Sequence, residues 1–270
     1  MLVDEEYIER CNIQGIYPAA YYPHNIHFLW FASSMEGRSE VSIAAARKLG
    51  TKTPKAMVEV VPRLERYFTM PYFSLIRFGK WKEVLNEPKP AEDLIYATTM
   101  WHYARGMAYA NIGKIKKAKK ELQLVAIAKE DKTLKALEKP NYPTTKLVDM
   151  AALVLKGEIA GKEGNFVDKV AHIRAAVTLQ DGLRYSEPPH FYFPVRQALG
   201  NALLAANQLA EAEKVFKEDL AKFPKNGWSL FGLHQSLKKQ HKTEKAALVK
   251  KEFDVAWSKA DFVLSTKNNY

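Results

Sequence analysis

The sequence predicts an all-α solenoid: about six antiparallel helix pairs, some of them degenerate, wound into a right-handed superhelix as one domain over residues 1–270. Three observations lead there. Apolar residues recur at helical spacing while alternating, strand-like runs are scarce. A small-residue turn followed by an amphipathic segment recurs six times along the chain. Where two recurrences lie further apart than the rest, the extra residues carry prolines, which break helices and so mark insertions.

The recurring segments are EGRSEVSIAAARKL, FGKWKEVL, IGKIKKAKKEL, EGNFVDKVAHIRAAV, ANQLAEAEKVF and QHKTEKAALV, with turn positions at Gly37, Gly79, Gly113, Gly164, Asn207 and His241. Their spacings are 42, 34, 51, 43 and 34 residues, and the three long intervals contain Pro54 to Pro62, Pro140 to Pro143, and Pro188-Pro189. The units therefore run over approximately 23–50, 63–88, 99–130, 150–180, 193–225 and 227–258. Ahead of the first, Asp4 to Cys11 reads as the tail of a second helix without its partner, as expected if the sequence is a piece that starts inside a solenoid. In the second unit Pro71 interrupts the first helix and marks its start. The third places Gly106 and Ala118 where paired helices cross, and the fifth does the same with Gly200 and Ala212. Asn226-Gly227, a hairpin signal in isolation, lies between two helical patterns and links helices.

On these residues the chain resembles the tetratricopeptide repeat (TPR), a 34-residue helix–turn–helix unit. The third unit and the fifth, where Phe216 and Pro224 also fit the consensus, match best; the second is degenerate and the last has His234 where Gly or Ala is expected. The strings YYPHNIHFLW, MEGRS, MWHYARGMAYA, EPPHFYFPVRQALG and NGWSLFGL resemble a group of longer bacterial TPR proteins with no established activity. This sequence looks like their C-terminal half.

Composition narrows the class. The chain is 47% hydrophobic and 26% charged, as globular proteins are, and its single cysteine, Cys11, excludes an internal disulfide and a multi-cysteine metal site. No apolar run approaches the roughly 18 residues that span a bilayer. The acidic start does not read as a signal peptide, so a cytoplasmic location is expected unless the chain is a piece of a longer exported protein. A net charge of +11 favours an acidic partner, yet the basic residues are 31 Lys against 10 Arg. The densest runs, Lys114 to Lys120 and Lys238 to Lys251, interleave with apolar residues at helical spacing and so read as solvated helix faces.

The resemblance implies that the first helix of each pair lines a concave groove. Its lining positions fall on His24, His27, Phe31 and Ser34, then on Met100, Tyr103, Met107 and Ala110. They continue with Ala151, Val154, Glu158 and Gly161, and end on Pro194, Gln197, Asn201 and Leu204. The groove candidates are His24, His27, Phe31, Tyr103, Met107, Glu158, Gln197 and Asn201, an aromatic and weakly polar set whose rings also suit plain core packing. Truncating Tyr103 or Asn201 is expected to weaken binding without unfolding the chain. The loop Glu187-Pro188-Pro189-His190 reads as a linker or as a flap over the groove edge. His24 and His27 lie one helical turn apart, as two ligands of a divalent metal would, but a third ligand has no signature in the sequence; capping or hydrogen bonding is the plainer reading. Gly200-Asn201 resembles part of the carboxylate clamp of some TPR domains, from which Gln197 and Gly232 depart. No GxSxG, GxGxxG or P-loop pattern is present.

Three functions are weighed. A non-enzymatic scaffold holding a peptide or protein partner in its groove ranks first. A small-molecule or metal pocket around His24 and His27, possible ground for catalysis, ranks second. Nucleic-acid binding through Lys116, Lys117 and Lys120 ranks last. Apolar surface at the N-terminal end is expected to favour homo-oligomers.

Overall fold

All six residues singled out as turn positions take the left-handed backbone conformation in the computed structural model, which describes residues 2–15 and 17–265. Their φ angles run from 57° at His241 to 81° at Gly164. In each case the following N–H reaches back five residues to a carbonyl in the last turn of the helix. The six bonds are Arg38 to Ser33, Lys80 to Leu75, Lys114 to Tyr109, Asn165 to Ala160, Gln208 to Leu203 and Lys242 to Leu237, at 2.8–3.0 Å. This is the Schellman closure, which satisfies carbonyls that the helix end leaves open. A new helix begins two residues after every one of these turns.

The elements in order are α1 (Leu2–Arg10), a π-helical turn (Tyr17–Tyr21), α2 (Tyr22–Met35), α3 (Ser39–Thr51) and α4 (Lys55–Val60). A 3₁₀ segment (Pro62–Thr69) leads into α5 (Met70–Arg77), α6 (Trp81–Asn86), α7 (Ile95–Asn111), α8 (Ile115–Lys129) and α9 (Lys132–Ala136). Then come α10 (Thr144–Lys162), α11 (Phe166–Asp181), α12 (Val195–Ala205), α13 (Leu209–Lys222), α14 (Gly227–Lys239) and α15 (Thr243–Ala256). Among the described residues there is no β-strand, only an isolated bridge between Lys139 and Tyr142. Pro71 sits in the first turn of α5, where its missing N–H costs nothing.

Adjacent helices pack in pairs: α2 with α3, α5 with α6, α7 with α8, α10 with α11, α12 with α13, and α14 with α15. The second helix of each pair also meets the first of the next, as α3 with α5, α8 with α10, and α13 with α14. Small residues permit the close crossings. The Phe216 ring of α13 lies so near both Gly200 and Gly232 that a Cβ at either would overlap it. The proline-bearing intervals hold α4 with the 3₁₀ segment, α9 with its bridge, and a loop over residues 183–194.

Two features go beyond neighbour-to-neighbour stacking. The first and last pairs touch: the Trp228 indole donates to Ser34 O at 3.0 Å, and Asp261 accepts from Ser39 N at 2.5 Å and Glu40 N at 3.0 Å at the start of α3. A second apolar cluster of Phe78, Trp228 and Leu264, backed by Ile43, Trp257 and Phe262, fills this junction. In the interior, the 183–194 loop inserts Phe191-Tyr192-Phe193 as core. The Tyr192 ring stacks on Phe73 with centroids 4.4 Å apart, and its hydroxyl lies 2.8 Å from that of Tyr103. The fully buried Arg77 lies over the Trp228 ring at 3.4 Å and donates to Gln197, and burial pulls its pKa down to about 9.

Candidate functional site

The residues expected to line one groove divide between a closed interior and an open cleft. Tyr103 is completely buried, and burial raises its pKa. Gln197, equally buried, donates to Asp219 and Asn226 at 3.2 Å. Met107, Glu158 and Asn201 come together around a cavity of about 30 Å³ closed by Tyr192 and Phe193. Burial would raise the Glu158 pKa, but Lys169 and Lys162 outweigh it and hold it low. Truncating Tyr103 would therefore open a core cavity, so the expectation that it can be removed without cost to stability does not fit its burial.

The stripe of α2 that remains open, with Tyr21 just ahead of it, faces a row of three cavities that share walls. Tyr21 and His24 line a cavity of about 610 Å³, Phe28 and Phe31 one of about 680 Å³, and Phe31, Ala32 and Met35 one of about 850 Å³. The first two share the wall Arg184–Glu187 with His190, and the last two share Phe31, Lys222 and Phe223. Spacings of three and four residues put this stripe on one helix face. Its aromatic members stay partly in water: Tyr21 is 57% and Phe28 40% exposed. The Phe31 and Phe223 rings, tilted with centroids 6.5 Å apart, form a wall common to the middle and third cavities.

The chemistry of the cleft changes along its length. In the first cavity Arg63 and Arg66, from the 3₁₀ segment, meet Arg184 of the loop, together with His24, His190, Tyr67 and Tyr185. Its one carboxylate, Glu187, accepts from the Tyr185 hydroxyl. Burial, with Arg66 adding to it, lowers the His190 pKa. In the middle cavity two of the cations are already engaged, since Arg196 and Lys222 both reach Asp181 at 2.6–2.7 Å, while Arg184 belongs to the wall shared with the first. Asp219 lines the same cavity at 1% exposure with Oδ1 lacking a hydrogen-bond partner, and burial raises its pKa. The third cavity is mostly apolar, with Lys222, Lys225 and Lys251 beside Glu36 and Glu252 in its lining.

His27 lies behind this surface. Its ring is buried between Trp30, stacked at 5.3 Å, and the edge of Tyr67, with neither nitrogen hydrogen-bonded. Burial first, then Arg66 and His24, keep it neutral by lowering its pKa well below 6.5. The His24 ring lies against Phe28 instead. Among the described residues no group of three or more His, Cys, Asp or Glu side chains is placed to hold a metal ion. No described helix is long and apolar enough to cross a membrane. Lys116, Lys117 and Lys120 lie on the exposed face of α8.

Sequence reasoning missed Arg63, Arg66, Arg184, Phe28 and Phe223. A signal was present: arginine is scarce in this lysine-rich chain, and Arg63 and Arg66 stand one turn apart directly after Pro62. No protein-family model matches the chain, and no curated protein matches it.

Proposed function

We propose that the chain is a non-enzymatic helical-repeat scaffold of the TPR kind, which binds a peptide segment of a partner protein in the cleft along α2. The observation that carries this reading is the pairing of an arginine-lined cavity with an aromatic one on the same helix face. Such a surface suits a peptide with an acidic residue followed by an aromatic or aliphatic one. The 14 residues of α2 give the cleft a length of about 21 Å, room for about six or seven extended residues. Partly exposed Phe28 and Phe31 supply the apolar anchors that dominate peptide affinity.

Selection from a displayed library of random peptides tests this. Enrichment of sequences joining acidic and large apolar residues, lost with Phe28→Asp, is the expected result. No enriched sequence, or enrichment indifferent to Phe28→Asp, would contradict the reading. The second reading is a small anionic molecule in the His24 cavity, whose 610 Å³ is within the usual range for such ligands.

A further inference from the structure

Arg63, Arg66 and Arg184 differ from the other arginines of this chain. Arg10, Arg38, Arg47, Arg105, Arg174 and Arg196 each lie beside a carboxylate, and Arg77 is held by Gln197. The three exceptions have no carboxylate partner among the described residues, and all three line one cavity. The Arg66 Nε is in addition buried without any acceptor. Cations that line one cavity without a counter-charge raise its positive potential, which an anion entering it would meet favourably.

The donor count favours a multiply charged anion over a single carboxylate. Three guanidinium groups carry about fifteen N–H donors, whereas one carboxylate offers about four acceptor sites and a single charge. A phosphate monoester carries a charge of about −1.5 to −2 and three terminal oxygens, and so matches this cavity better. Tyr21 and Tyr185, both exposed, supply ring surface beside the arginines for the group that bears the phosphate. Glu187, the cavity's one carboxylate, accepts from the Tyr185 hydroxyl and forms no ion pair with any of the three arginines.

We infer that the cavity between His24, Arg63, Arg66, Arg184 and His190 is a binding site for a phosphate monoester, carried on a side chain of the peptide that lies along α2. The peptide source rests on the function proposed above; the phosphate chemistry does not.

Calorimetric titration of the full chain with phenyl phosphate, benzoate, and a tyrosine peptide with and without its phosphate tests both parts. Phenyl phosphate is expected to saturate one site about tenfold or more tighter than benzoate, and Arg63→Gln and Arg184→Gln each to weaken it about tenfold. Both side chains are exposed, so unchanged thermal unfolding will show that the variants fold, and Lys116→Gln should bind like the parent. Benzoate binding as tightly as phenyl phosphate, or binding indifferent to Arg63→Gln and Arg184→Gln, would overturn the site. The phosphopeptide is expected to exceed phenyl phosphate in affinity. If it binds no tighter, the peptide source is overturned and a small phosphate ester is the occupant. Acidic library peptides that bind in the cleft while phenyl phosphate does not would overturn the phosphate inference and leave the peptide scaffold standing.

Discussion

The Trp228 indole nitrogen donates to the Ser34 carbonyl at 3.0 Å, although the two residues are 194 positions apart. An open stack of helix pairs unfolds as a sum of neighbouring units, but contact between its first and last pairs couples them all. Trp228→Ala should cost about 3–5 kcal/mol, as for other fully buried large side chains, and Asp261→Ala about 1 kcal/mol through loss of its cap on α3. Urea denaturation followed by both circular dichroism and tryptophan fluorescence should give one coincident transition. Separate transitions for the two probes, or a Trp228→Ala change below 1 kcal/mol, would contradict the coupling.

Phe216 of α13 fills the space that Gly200 of α12 and Gly232 of α14 leave open. Gly200→Ala and Gly232→Ala should each destabilise by about 1–3 kcal/mol through overpacking, despite alanine's better helix propensity. Phe216→Leu should relieve most of that cost, which a double-mutant cycle would measure as a favourable coupling. Additive effects would mean that the ring is not the obstacle.

Glu65 is buried and accepts from Ala97 N at 2.9 Å at the start of α7, and burial raises its pKa from 4.5 to about 7. The folded state therefore holds its proton more tightly than the unfolded state does. Its contribution to stability is fully present below pH 4.5, falls as pH rises to 7 and is lost above, by at most about 3 kcal/mol. Glu65→Gln, which keeps an acceptor for Ala97, should remove that decline. Denaturation at pH 5 and pH 8 will show a smaller pH difference for the variant, whereas parallel profiles would contradict the assignment.

Within the cleft, stability and binding should separate. Phe28 is 40% exposed, so Phe28→Asp should change stability by about 0.5 kcal/mol or less while abolishing capture of library-selected peptides. Tyr103→Ala should do the reverse, costing about 3–5 kcal/mol because its ring is wholly enclosed. Thermal melts beside binding assays distinguish the two.

The helix-turn rhythm was legible because each turn needs a left-handed residue, and glycine at four of the six positions makes that need visible. Asn207 and His241 were found by the same spacing and adopt the same conformation. Small residues at crossings were legible for a similar steric reason. The division of the groove was not. Tyr103, Gln197 and Asn201 have the right periodicity for a lining, but the Phe191-Tyr192-Phe193 segment covers that face, and no local pattern announces where a loop returns. On α2, His24 and Phe31 do line an open cavity, whereas His27 and Ser34 at the other expected positions are buried. The arginine cavity joins residues more than a hundred positions apart, so only the tertiary structure assembles it.

The most direct test is backbone amide chemical-shift mapping of the full chain with a library-selected acidic peptide. The account predicts saturable changes confined to residues 21–36, 63–67, 183–196, 219–226 and 251–256, which line the three cavities. Changes centred on the lysine face of α8, or on α7 and α10, would contradict it.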